Sequence, residues 1–69
     1  MAKLSLNRIK VVLAEKNTKN IELARLLDKR ESTISRWCTN DAQPSLETLY
    51  EISKILKVDI RELLVSTEK

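Results

Sequence analysis

The chain has 69 residues, with 13 Lys and Arg against 10 Asp and Glu, a net charge of +3, and no Gly, His or Phe. That length admits one domain, residues 1–69, whose small core typically contributes only ~3–5 kcal/mol of net stability. Without His and with a single Cys, one chain cannot build the common zinc sites, a Cys/His or Ser/His catalytic pair or an internal disulfide, and without Gly it lacks phosphate-cradling loops and the favoured hairpin turns. None of the carboxylates forms a recognisable acid–base pair, so the expectation is a binding module rather than an enzyme, with no cofactor and no metal. Arg8, Lys10 and Glu15 interrupt the apolar character of the first residues, and no run approaches the roughly 18–20 apolar residues that span a bilayer. A soluble cytoplasmic protein without membrane contact is expected.

The pattern predicts an all-α fold, a compact bundle of five short helices with its core over about residues 6–64. The first helix runs about Leu6–Lys16, with Leu6, Ile9, Val12 and Leu13 on one face. Asn17–Lys19 breaks it. The second runs about Asn20–Leu27, with Thr18 as a candidate cap and Leu23, Ala24 and Leu27 facing inward. Asp28–Arg30 forms a turn, and the third helix follows over about Glu31–Cys38, with Ile34 and Trp37 one turn apart on a buried face. Thr39–Pro44 is the longest loop, and Pro44 disfavours helix at Gln43. Ser45 caps the fourth helix, Leu46–Lys57, whose inward stripe reads Leu46, Leu49, Ile52 and Leu56. Asp59 opens the fifth with Asp59-Ile60-Arg61-Glu62, an Asp variant of the capping box. Ser66–Lys69 is expected to fray.

Charge is uneven along the chain. Residues 1–40 hold nine Lys and Arg against four Asp and Glu, whereas residues 41–69 hold four against six. Such asymmetry fits a face for an anionic partner, nucleic acid first, although short helices also carry solvated charge for no other reason. Spacing is more specific. Ala24 lies four residues before Asp28, Ile34 six after it, and Trp37 three after Ile34. A helix-turn-helix needs a small residue in its first helix so that the second approaches closely, then a branched and a bulky residue to fill the gap beneath, which leaves the outer face of the second helix for the DNA major groove.

Leu23-Ala24 through Ile34-Ser35-Arg36-Trp37, followed by Pro44-Ser45-Leu46-Glu47-Thr48-Leu49, resembles the Xre-type helix-turn-helix family, which includes phage repressors and Cro. The resemblance covers about residues 6–64. It implies operator DNA as ligand, usually a homodimer, and transcriptional control, so the chain is expected to be a sequence-specific transcription regulator such as a repressor. Asp28 stands at the family's usual turn glycine, where Asp tolerates left-handed backbone at some strain. Arg30 stands at the usual Ser or Thr cap of the third helix, and Cys38 at a Glu that often pairs with a basic residue of the first helix, a pairing for which Arg8 would be the candidate here.

By the same resemblance, Glu31, Ser32 and Arg36, with Ser35 beside them, fall at base-reading positions. The Arg36 fork can bond guanine O6 and N7 together, worth ~1–3 kcal/mol of discrimination. Glu31 can accept from a cytosine amine or hold Arg36 or Arg30 in place. Lys19, Asn20, Lys29, Arg30, Thr39 and Asn40 are candidate phosphate contacts, which position without reading sequence. Each has a plainer alternative: Arg36 as a solvated charge or ion pair, Lys19 and Lys29 as ordinary surface charges, Trp37 as core rather than a stacking platform, Cys38 as packing rather than a redox switch. Tyr50, Ile55, Ile60 and Val65 are apolar beyond the core stripe and mark a candidate dimer face. The competing function is a protein-interaction module using that face, for example an antitoxin bound to a toxin.

Overall fold

The computed structural model describes residues 4–67. Four α-helices follow one another, α1 (Ile9–Glu15), α2 (Asn20–Leu27), α3 (Glu31–Cys38) and α4 (Leu46–Leu56), and a 3₁₀ turn, Ile60–Leu63, closes the chain. The class is all-α as expected, but the fifth element is not an α-helix. Asp59 and Glu62 do form the predicted capping box, Asp59 Oδ1 accepting from the Arg61 N–H at 2.8 Å and Glu62 Oε2 from the Asp59 N–H at 3.4 Å. The turn stops after Leu63 because Leu64 is drawn into extended backbone opposite Asn7, in an isolated antiparallel bridge.

That bridge also corrects the start of α1. Leu6 is 48% exposed and lies in an extended arm, not in the helix. The Leu6 carbonyl accepts from the Val65 N–H at 3.0 Å, and the Arg8 N–H donates to the Leu63 carbonyl at 2.8 Å. Asn7 Oδ1 then accepts from the Ile9 N–H at 3.1 Å and starts the helix. Of the expected frayed tail, Glu68 and Lys69 lie outside the described residues.

α2 and α3 span the expected residues. Thr18 does not cap α2: its hydroxyl donates back to the Lys16 carbonyl at 3.2 Å, and Glu22 Oε1 takes the Lys19 N–H at 3.0 Å instead. Ser45 does cap α4, its Oγ accepting from the Thr48 N–H at 3.1 Å. The core is shared by every element: Ile9, Val12 and Leu13 from α1 meet Leu23 and Ala24 of α2, Ile34 and Trp37 of α3, the α4 stripe and Leu63. Within α4 the buried stripe is Leu49, Ile52, Ser53 and Leu56, while Leu46 is 73% exposed. Stepping back three residues from Leu49 rotates the side chain about 60° off the stripe.

Among the described residues, four non-glycine residues have left-handed backbone: Asn17 (φ 53°), Asp28 (φ 56°), Asn40 (φ 62°) and Lys57 (φ 58°). Each follows one of the α-helices. In each case the next N–H bonds back to a carbonyl five residues earlier: Thr18 to Leu13 at 2.9 Å, Lys29 to Ala24 at 2.8 Å, Asp41 to Arg36 at 2.9 Å and Val58 to Ser53 at 3.0 Å. This is the Schellman closure that usually relies on Gly. A chain without Gly makes it with the two residue types that tolerate left-handed backbone best, Asn and Asp, and once with Lys. Among the described residues no helix is long and apolar enough to cross a membrane.

Candidate nucleic-acid interface

Ala24 is buried where α2 meets α3, its principal neighbour, so the missing side chain beyond Cβ permits their close approach. The left-handed Asp28 redirects the chain between them, as the turn position required. Ile34 and Trp37 then anchor α3 to the core, and its opposite face is left to solvent. Glu31, Ser32, Ser35 and Arg36 are all exposed there, the last three at helical spacing on a common stripe. Lys29 and Arg30 are exposed at the entry to α3, and no side chain caps that helix start at Arg30. The start of α3, the positive end of its helix dipole, thus lies beside two cations without a side-chain cap.

Among the described residues, Arg36 and Glu31 form no ion pair with each other or with any neighbour, unlike Arg61 and Asp59, which pair at 3.1 Å. Lys19 is exposed at the start of α2, while Asn20 is half-buried, its Oδ1 accepting a long contact of 3.7 Å from Cys38 Sγ. That contact ties the start of α2 to the end of α3. Burial pushes the Cys38 thiol above its ordinary pKa, and the Lys10 charge only partly opposes this. A protonated, half-buried thiol packed against the core matches the packing role. Arg8 does not turn toward Cys38: its Nη1 donates to the Glu62 carbonyl at 3.1 Å.

Two candidate phosphate contacts already have hydrogen-bond partners within the protein. The Thr39 hydroxyl lies 2.7 Å from Asp41 Oδ2 and 3.2 Å from the Arg36 carbonyl, so its one proton already has acceptors within the loop. Asn40 Oδ1 accepts from the Leu6 N–H at 2.9 Å, the Asn7 N–H at 3.1 Å and Gln43 Nε2 at 2.9 Å. These bonds tie the loop to the arm. Sequence spacing could not reveal the bonds to Leu6 and Asn7, because those partners are more than thirty residues away and Asn is common in solvated loops.

Of the four residues of the expected dimer face, two line a groove: Tyr50, 57% exposed, and Ile60 do so with Leu46, and the acidic Glu47 and Glu51 also belong to its lining. Ile55 and Ile60 are partly packed against the core, and Ile55 and Val65 lie outside that lining. The exposed Leu46, read from sequence as core, is the groove residue that sequence analysis missed.

A family model described as helix-turn-helix matches residues 9–63. A crystal structure of a protein from Bacteroides fragilis, provisionally described as DNA-binding, is similar with a TM-score of 0.86 and 55% sequence identity, over 87% of this chain and 97% of that one. Comparison with curated proteins gives no match. With the family match spanning all four α-helices and the closing turn, this chain belongs to the Xre-like helix-turn-helix family.

Proposed function

We propose that the protein is a transcription regulator that binds double-stranded DNA in a sequence-specific manner, with α3 in the major groove. The observation that carries this reading is the division of α3 itself. Ile34 and Trp37 are buried, whereas Ser32, Ser35 and Arg36 stand exposed on one stripe beside Lys29 and Arg30. In this reading Arg36 reads guanine, Glu31 accepts from a cytosine amine, and Ser32 and Ser35 bond to either base of a pair. Lys19, Asn20, Lys29 and Arg30 hold phosphates, and the uncapped first turn of α3 adds backbone N–H donors.

α3 has 8 residues, so at 1.5 Å per residue it extends ~12 Å and covers only about four base pairs. So short a site argues for two copies on a palindromic operator, their recognition helices one DNA turn, ~34 Å, apart. The groove of Leu46, Tyr50 and Ile60 supports this, since apolar groups of that exposure gain by being covered. The same groove supports the second reading, a protein partner such as a toxin. In vitro selection of bound DNA separates these. A palindromic consensus with half-sites one turn apart is the expected result. A single unpaired half-site would remove the homodimer, and no enrichment at any salt concentration would remove sequence-specific binding.

A further inference from the structure

Asn7 is a buried polar residue, 5% exposed, at the junction of three parts of the chain. Every polar atom of its side chain is used. Oδ1 caps the Ile9 N–H of α1, and Nδ2 donates to the Trp37 carbonyl at 2.9 Å and to Gln43 Oε1 at 2.7 Å. Trp37 belongs to the last turn of α3, and its carbonyl also accepts the Asn40 N–H at 3.1 Å. Gln43 closes a triangle, since its Nε2 donates to Asn40 Oδ1, the oxygen that also receives the Leu6 and Asn7 N–H groups. The end of α3 and the loop after it are thus clamped to the arm, and the arm is strapped to residues 63–65.

We infer that Asn7, Gln43 and Asn40 form a latch that positions the C-terminal half of α3, and through it Arg36, for base reading. This rests on the DNA-binding reading above. An eight-residue helix is marginal on its own, and Ile34 and Trp37 hold only its inner side. Burial of Ile34 and Trp37 fixes which side of α3 faces the core, while the directional bonds of the latch add a constraint at its C-terminal end. A bidentate contact to guanine demands a defined direction for the guanidinium fork, and the latch bonds the carbonyl next to Arg36 in sequence. Residue 40 shows the choice most clearly. Gly would occupy its left-handed backbone without strain, but only a side-chain amide can accept three bonds and donate one back to the Asn7 carbonyl, at 3.4 Å.

Asn40→Gly keeps the backbone turn and removes the side-chain bonds that join residue 40 to Leu6, Asn7 and Gln43, loosening the latch, and Asn40→Asp keeps the accepting oxygen. The reading is the ratio of affinities for the selected site and for a scrambled duplex, at one salt concentration, on variants whose thermal unfolding remains cooperative. Asn40→Gly lowers that ratio about tenfold, within what one bidentate base contact supplies, and Asn40→Asp restores most of it. Should Asn40→Gly fail to fold, Gln43→Ala at an exposed position lowers the ratio in the same direction. In an Arg36→Ala background Asn40→Gly changes the ratio no further, because the latch acts through Arg36. A phosphate role for Asn40 would weaken both duplexes alike and leave the ratio unchanged, which overturns the latch, as does additivity with Arg36→Ala. Wild-type protein that does not distinguish the duplexes removes the DNA reading, and the latch with it; discrimination untouched by either variant removes the latch alone.

Discussion

Lys57→Gly should stabilise the protein although it deletes a side chain. Lys57 sits at φ 58°, ψ 48° at the C-terminus of α4, where its Cβ crowds the following carbonyl. Left-handed backbone costs a residue with a Cβ about 1–2 kcal/mol. Glycine removes that cost but enlarges the entropy of the unfolded chain by about 0.4–1 kcal/mol, and losing a cation near the negative helix end costs about 0.3 kcal/mol. The balance is a gain of about 0.5 kcal/mol. In a domain this small such a gain raises Tm by roughly 2–4 °C. Urea and thermal unfolding followed by circular dichroism measure it, with the urea midpoint moving at constant slope. Lys57→Ala is the control, because it loses the same charge but keeps a Cβ, and it should fall at or below wild type. A glycine variant no more stable than wild type, or an alanine variant equally stabilised, would refute the strain assigned to this position.

Other expectations concern the DNA face, the core and acid. Arg36→Ala should relax base preference by about 1–3 kcal/mol at one position of the site, whereas Lys29→Ala should weaken binding to every sequence and reduce the slope of log K against log salt by about 0.9; identical behaviour of the two variants in fluorescence anisotropy would erase the distinction between reading and positioning contacts. Ile34→Ala opens a cavity under α3 at a fully buried position and should cost about 2–5 kcal/mol, comparable to the whole stability of a core this small, which a loss of cooperative unfolding at room temperature would reveal. The hydrogen bonds from the Arg61 side chain, then from its backbone N–H, hold the Asp59 carboxyl below its ordinary pKa. A folded value below the unfolded one means that this contribution is complete above the unfolded pKa and is lost as pH falls through the folded one. The stability difference between wild type and Asp59→Asn should therefore shrink on acidification below about pH 4, and a difference that widens instead contradicts the sign.

Much of the helix-turn-helix was legible in local pattern. The limits of α2 and α3 follow from Leu23-Ala24, from the polar turn at Asp28–Arg30 and from Ile34 and Trp37, since these signals act within one or two helical turns. Ser45 and Asp59 were readable as caps for the same reason: the N–H groups that they accept lie three and two residues away. The outward residues of α3 follow as the complement of its buried ones.

What the amino-acid sequence determined by itself was therefore the two central helices, the inward face of each, and the absence of any glycine to close them. Tertiary structure decided the rest. Leu6 and Asn7 fit the helical period of α1, yet they are extended because Asn40, Leu63 and Val65, distant in sequence, supply bonds that outweigh one more turn of helix. Leu46 fits the period of α4, yet the assembled chain leaves it 73% exposed, as the side of a groove rather than part of the core. Local periodicity specifies which residues can share a face, but only the assembled chain determines whether anything stands opposite that face, and whether a backbone N–H finds its acceptor four residues away or thirty.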